Sequence, residues 1–170
     1  YKRKNWMFQL GKEEEGKYLF AVNFAKGKDV PTSAAPPPLT IRPQEGVVIS
    51  VEANAYTDYG IYFKAEAAQS TFTKDVTTPL TSLLRGLKPF IEPHTSTLTD
   101  FAGQVAAGRK SNNFDIGISA KYIGAGFQTV GYPYMQPDRI DYTVNTRFNA
   151  WKKKINETAS VGRRVNNVNN

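Results

Sequence analysis

Between Val47 and Tyr56 the chain alternates without a break. Val47, Ile49, Val51, Ala53 and Ala55 take one parity, and Val48, Ser50, Glu52, Asn54 and Tyr56 take the other. After Thr57-Asp58-Tyr59-Gly60 the pattern resumes, with Ile61, Phe63, Ala65 and Ala67 set against Tyr62, Lys64, Glu66, Ala68 and Ser70. Side chains of a strand point alternately to its two faces. Period-two patterning with charges on one side therefore marks a strand lying between two unlike solvents. The interruption reads as a tight turn, and Glu45 to Asp75 as a hairpin. Each arm exceeds the five or six residues usual in a water-soluble sheet, and about ten tilted residues cross a bilayer's hydrocarbon core. The hairpin predicts an all-β fold, an antiparallel transmembrane β-barrel.

Composition narrows the alternatives. The 170 residues suffice for one domain with a sizeable core. No apolar run approaches eighteen residues, which excludes a transmembrane helix but not a barrel, where only every second strand residue must be apolar. Cysteine is absent, so neither a disulfide framework nor a thiolate metal site can form. The net charge of +7 suits nucleic acid, lipopolysaccharide phosphates or an acidic partner. Because the basic residues are scattered over turns and strand faces, nucleic acid is not expected as a partner. The chain opens Tyr1-Lys2-Arg3 without an initiator Met or a signal peptide, so processing or truncation is expected at its start.

Taken in order, Asn5 to Leu10 forms a first strand, with Trp6, Phe8 and Leu10 on one face. Gly11 to Gly16 is expected as a solvated acidic turn, and Lys17 to Lys26 as a second strand carrying Tyr18, Phe20, Val22 and Phe24 on one side. Pro31, Pro36-Pro37-Pro38 and Pro43 then predict an exposed loop of polyproline character. Beyond the central hairpin, Lys74 to Asp100 is irregular and is expected to hold one short loop helix. Thr78 would be its N-cap, Pro79 its first residue, and Leu80, Leu83, Leu84 and Leu87 an apolar stripe. Phe101–Arg109, Phe114–Tyr122, Ile140–Asn149 and a weaker Ile155–Arg163 complete about eight strands in four hairpins. Trp151-Lys152-Lys153 supplies the last tight turn. Glu157 falls on the apolar parity of the last strand, where a charge is tolerated only near an interface.

The connections alternate in length. Those after strands one, three, five and seven are short; those at 27–44, 76–100 and 124–138 are long. Outer-membrane barrels pair short periplasmic turns with long extracellular loops. Aromatics near strand ends (Trp6, Tyr56, Tyr59, Tyr62, Phe72, Phe101, Tyr122, Tyr142, Trp151) would supply the interfacial girdles. If the short turns are periplasmic, both termini lie outside, contrary to the usual arrangement of complete barrels. Residues 1–165 are therefore expected to be a segment of a larger barrel, and 166–170 a tail, turn-like or disordered.

Chemistry is sparse. His94 is the single histidine, expected as a solvated loop residue; Ser70, Ser82 and Ser96 are possible partners by type only. Gly124-Ala125-Gly126 and Gly131 lack the strand–loop–helix context of a phosphate-binding loop. Asn156-Glu157-Thr158 fits a glycosylation sequon inside a strand. No catalytic, cofactor-binding or metal-ligating residue is expected, and no cofactor. The functional candidates are the polar strand faces: Lys64, Glu66, Asp115, Lys121, Asp141, Asn145, Arg147 and Asn149 would face a lumen. There they would pair across strands or set the selectivity of a channel.

Several stretches carry a family resemblance. They are Lys28-Asp29 followed by Pro43-Gln44-Glu45-Gly46-Val47, Phe72-Thr73-Lys74-Asp75, Lys121 to Phe127 through Gly131-Tyr132-Pro133-Tyr134, and Pro137-Asp138-Arg139 leading to Asp141–Asn145. In strand-and-loop style the chain from Gly27 to Arg164 resembles large outer-membrane barrels of Bacteroidota, including those associated with type 9 secretion. The resemblance implies the outer membrane of a diderm bacterium and a part in transport, protein secretion or surface assembly. Expected partners are outer-membrane lipid and lipopolysaccharide, together with other subunits or the remaining strands of a larger barrel. The rival reading is a soluble all-β structural or interaction module, such as a virion or surface-assembly protein. It accounts for the alternation and the charge but not for the rhythm of the connections.

Overall fold

A computed structural model describes residues 1–33, 41–82, 86, 88–129, 131, 135–150 and 155–168, with backbone alone at Ala150. Eight strands follow one another: β1 (Lys2–Glu14), β2 (Tyr18–Val30), β3 (Glu45–Tyr56), β4 (Ile61–Thr73), β5 (Thr97–Lys110), β6 (Phe114–Ile123), β7 (Arg139–Ala150) and β8 (Ile155–Asn166). They form one antiparallel sheet in chain order, and β1 and β8 are its unpaired edges. Among the described residues 3-10 geometry occurs at Pro31–Ser33 and at Gly86. No helix there is long and apolar enough to cross a membrane.

The strands outrun the alternation that announces them. Gly11 to Glu14, expected in a turn, pair with Ala21 to Tyr18, so the turn shrinks to Glu15-Gly16-Lys17. Gly27 to Val30 continue β2 against Lys2 to Asn5 of β1. Thr97 to Asp100 open β5 against Ser70 to Thr73. Every backbone N–H and C=O needs a partner whatever its side chain, so a ladder once started runs on through glycine, threonine and charged residues. Gly60 closes the central turn: its φ is +76°, and a Cβ there would lie 2.0 Å from the Lys110 carbonyl oxygen.

The short helix does not begin at Thr78. The Thr78 hydroxyl turns back to the Asp75 carbonyl at 2.8 Å, and Leu80 forms an isolated antiparallel bridge with His94. Cross-bonds from Thr81 N to Pro93 O and from Thr95 N to Pro79 O, both 2.9 Å, fold this connection on itself. Threonine before proline suits an extended arm as well as a cap. Leu83, Leu84 and Leu87, the polyproline stretch Pro36–Pro38 and the Trp151–Lys153 turn lie outside the described residues.

Register shows that the sheet is sheared. Residues paired across strands can be traced from Tyr18 through Ala55, Phe63, Ala107 and Ile118 to Val144. The turn-end pair of β1 and β2, Glu14↔Tyr18, lies on that row, whereas Ala150↔Ile155 of β7 and β8 lies six residues beyond it. Six residues of stagger over six strand spacings, at ~3.4 Å per residue and ~4.8 Å between strands, incline the strands by about 35°. Barrel walls tilt their strands by roughly 35–45°.

Most burial lies at one end. The short turns share one edge of the sheet and the long connections the other, and the buried apolar residues Val47, Phe72, Ile91, Ile123 and Phe127 cluster at the long-connection end; Ala21, also buried, lies nearer the turn end of β2 on the polar face. The 74–96 connection lies against one face there. The Phe90 ring stands 6.0 Å from that of Phe24, and its carbonyl accepts from Lys26 Nζ at 2.7 Å. The 124–138 connection lies against the opposite face, where Ser70 Oγ donates to the Gln128 carbonyl.

Candidate functional site

Pairing across all eight strands assigns each residue to a face. One face collects the apolar parity: Phe8, Leu10, Phe20, Val22, Ile49, Val51, Phe63, Val105, Ile118, Val144 and Val161. At mid-strand this face has no covering layer. Val105 is 57 %, Ile118 59 % and Val161 73 % exposed, whereas Ile91 under its connection is 2 % exposed. Phe20, Phe63 and Val144 are likewise exposed, and Ile49 is half-buried. A shallow apolar trough of about 830 Å³ runs over alanines between Phe63, Val105, Ile118 and Val144. Glycine and alanine floor it because larger side chains stand on the neighbouring strands.

Charges on this face sit toward the strand ends. Glu157 is two residues from the turn end of β8, Arg109 one from that of β5, Lys12 two from that of β1, and Arg163 three from the far end of β8. At the long-connection end Glu45, 1 % exposed, has its two carboxylate oxygens 3.0 Å from Lys26 Nζ and 3.2 Å from Lys28 Nζ. Tyr56, Tyr62 and Phe72 fall on the opposite face, so they cannot belong to a girdle on the apolar side. Trp6, Phe101, Tyr122 and Tyr142 remain there, the Phe101 and Tyr122 rings 5.5 Å apart.

The other face holds all eight polar candidates. One row crosses six strands as Glu52, Glu66, Gln104, Lys121, Asp141 and Arg164, with the two glutamates directly opposed. Gln104 Nε2 donates to Glu66 Oε2 at 3.4 Å, and Arg164 grips Asp141 through Nε at 2.6 Å and Nη2 at 3.4 Å. Arg139 approaches the second Asp141 oxygen at 3.2 Å. Asp115 stands directly opposite Arg147. Asn145 accepts from Ser160 Oγ at 2.7 Å, and Asn149 donates to the Asn112 carbonyl at 3.3 Å. The Lys64 ammonium lies 5.9 Å from the Tyr56 ring and 5.8 Å from the Tyr62 ring. Phe127 and Met135 of the 124–138 connection wall a cavity of about 130 Å³ beside Glu66, Gln104 and Lys121.

Sequence reading misses the contacts of four groups on or beside these faces. Asp29 is buried and takes two hydrogen bonds from Arg3, at 2.7 and 3.0 Å, and a third from Gln44 N at 3.0 Å. Asp100 fills the Gly124–Gly126 loop: Gly126 N donates to it at 2.7 Å, and a Cβ on Gly124 would meet its carboxylate at 2.3 Å. A loop that outwardly suits a phosphate thus wraps a carboxylate of its own chain. Tyr62 spans Gly108 and Gly117, where any Cβ would strike its hydroxyl at 2.5 and 2.3 Å, and so covers two strands with one ring. Arg164 completes the charged row. The signals were present (Lys28-Asp29 within the family resemblance, glycines spaced at matching depths), but pairing register alone reveals what each opposes.

His94 is not solvated. It is 8 % exposed, and Nδ1 lies 2.6 Å from the Thr78 carbonyl oxygen. The Ser96 hydroxyl donates to the Asp75 carbonyl at 2.9 Å, and that of Ser70 to Gln128, while Ser82 is exposed. Asp75 in the same connection accepts from the Thr77 hydroxyl at 2.6 Å and from its N–H at 2.8 Å, with Arg42 3.7 Å away. These bonds, the Thr77 hydroxyl foremost, outweigh the opposing effect of burial and hold the Asp75 carboxyl below its ordinary range.

No family model, no curated protein and no solved structure matches the chain.

Proposed function

We propose that these eight strands are a segment of the wall of a larger β-barrel in the outer membrane of a diderm bacterium. The apolar belt meets lipid and lipopolysaccharide, and the polar face meets the lumen of a channel, transporter or protein-secretion or surface-assembly component. The Bacteroidota barrels of the sequence resemblance, including those of type 9 secretion, supply one model for that role. The observation that supports this reading is the mid-strand apolar face. It is broad, uncovered and tilted by the shear of its register, and its charges are drawn toward the strand ends. In water an exposed patch of this breadth would be an aggregation liability; in hydrocarbon it is the favoured surface. Nine residues from Val47 to Ala55 span about 27 Å along the strand, or roughly 22 Å of depth at the observed tilt, near the ~25 Å apolar band of such walls. On the reverse, the Glu52–Arg164 row sets Glu66 beside Gln104 and Asp141 between Lys121 and Arg164, while Glu52 opposite Glu66 leaves a local excess of negative charge on the lumen side.

These 170 residues contain no cysteine, so a single cysteine placed in them reports one known position. Ile118→Cys and Ser119→Cys differ by one position and by face. In intact membranes a water-soluble maleimide should label Ser119→Cys and spare Ile118→Cys, which a lipid-soluble maleimide should label instead. Equal aqueous labelling of the two, or recovery of the protein in the aqueous fraction without detergent, would support the soluble interaction module.

A further inference from the structure

The first hairpin gathers lysines at one rim of the apolar face. Lys2 and Lys4 of β1 and Lys26 and Lys28 of β2 share the parity of Phe8 and Phe24, and Lys4 lies directly opposite Lys28. Residues so opposed have Cβ atoms about 5 Å apart, and their diagonal neighbours lie about 7–8 Å away. Lys2 and Lys26 are the diagonal neighbours of that pair. Four ammonium groups thus rise from one small area at the long-connection end.

A single acid on this face answers them. Glu45 holds Lys26 and Lys28, and the Phe90 carbonyl takes a further bond from Lys26. Lys2 and Lys4 are exposed, and among the described residues no acid pairs with either. Four lysines against one glutamate leave the patch at +3. Arg3 and Asp29, bonded to each other, belong to the opposite face. The 74–96 connection over this rim sets Lys74 and Lys88 against Asp75 and Glu92, so it does not supply the missing negative charge. The other end of the same two strands is balanced, with Lys12 and Lys17 against Glu14 and Glu15, and Lys17 bonded to Glu14.

What lies below the lysines selects the partner. Trp6, opposite Lys26, is 48 % exposed, and Phe8 and Leu10 continue the bare surface along β1. Cationic heads set directly above uncovered apolar side chains match a molecule that is anionic at its head and apolar in its tail. Free phosphate or an acidic peptide would use the lysines and leave the aromatics bare. Lysine holds phosphate as a point charge, and several lysines beside an anionic lipid surface add their attractions.

We infer that Lys2, Lys4, Lys26 and Lys28 bind the phosphate of a phosphorylated glycolipid of the outer leaflet, of the lipid A class, with its acyl chains laid over Trp6, Phe8 and Leu10. This rests on the membrane reading above, in which the long connections lie outside. It adds to that reading a fixed headgroup site on two named strands.

The test titrates the full-length protein, in a neutral detergent, with phosphorylated lipid A and with the same lipid dephosphorylated. Native mass spectrometry counts the lipid retained, and acetylation of lysines followed by peptide mapping locates it. Phosphorylated lipid A should be retained and should protect Lys2, Lys4 and Lys28 but not Lys12; the dephosphorylated lipid should bind at least about tenfold more weakly. The double variant Lys2→Gln, Lys4→Gln removes neither lysine that Glu45 holds, and should weaken retention roughly 10- to 30-fold. Lys2→Arg with Lys4→Arg should restore it. A second lysine run, Lys152 to Lys154, precedes β8 and provides the control: replacing all three with Gln should leave retention unchanged. Equal retention of the two lipids would overturn the inference. So would an equal loss in the control variant, or equal protection by inorganic phosphate at the same phosphate concentration. The membrane reading fails separately: unequal maleimide labelling of Ile118→Cys and Ser119→Cys without retention of lipid A removes the headgroup site alone, whereas equal labelling removes the wall.

Discussion

The long-connection end and the middle of the sheet are built from the same alternation, yet they solve different problems. At the end, connections fold over both faces: Phe90 and Ile91 on the apolar side, Phe127 and Gln128 on the polar side. Polar groups trapped there are satisfied in pairs, Asp29 by Arg3 and Gln44, Thr73 by Thr97 at 2.8 Å, and Thr71 by Thr99 at 3.2 Å. In the middle, nothing covers residues at least as apolar. One region is stable by internal packing, and the other leaves its apolar side chains uncovered. The contrast teaches that burial in this sheet follows the loops rather than the hydrophobicity of the strand.

The largest effects should come from the packed end. Phe127→Ala removes a ring buried against β-strands and should cost about 3–5 kcal/mol in a denaturant titration, wherever the protein is dissolved. A cost below 1 kcal/mol would show that the 124–138 connection does not pack on the polar face. The middle should respond in a way that depends on its surroundings. Ile118→Lys should destabilise by about 2–4 kcal/mol in lipid vesicles and change little in a purely aqueous state, as read by unfolding in both settings. Equal costs in the two media would erase the distinction between the regions.

A smaller effect tests the carboxylate that fills the glycine loop. Asp100→Ala leaves the Gly126 N–H without its acceptor and should cost about 1–3 kcal/mol, appearing first as faster amide exchange at Gly126. Unchanged exchange there would mean that Asp100 is a bystander.

The smallest is a pH effect in the 74–96 connection. The folded Asp75 carboxyl lies below its ordinary value of 3.8, so its stabilisation is present above that value and is lost as pH falls through the lower folded one. Local exchange protection of Thr77 N–H should hold down to about pH 4 and fall only under more acid conditions. Asp75→Asn should abolish that pH dependence. Loss of protection beginning above pH 5 would contradict the assignment.

Much of this was legible in advance. Strand number, hairpin order and face parity followed from residue type alone, because a pleated chain sends alternate side chains to opposite sides whatever surrounds it. The failures were of two kinds. Strand ends at Gly11–Glu14, Gly27–Val30 and Thr97–Asp100 were hidden, since backbone hydrogen bonding ignores the polar or glycine side chains that look like turn residues. A helix start at Thr78 does not form, because proline suits an extended arm as well as a first helical turn, and the Leu80–His94 bridge that decides between them is non-local.

What the sequence determined by itself is therefore the all-β character, the eight strands in four hairpins, and a polar face that includes Lys64, Glu66, Asp115, Lys121, Asp141, Asn145, Arg147 and Asn149. Only the tertiary structure decided which charges oppose which, that Asp100 occupies the glycine loop, that Glu157 lies near a strand end, and that the connections cover one end and leave the middle bare. Alternation is a property of neighbouring residues along one strand. Register, shear and coverage depend on where distant strands and loops meet, and no local pattern encodes that.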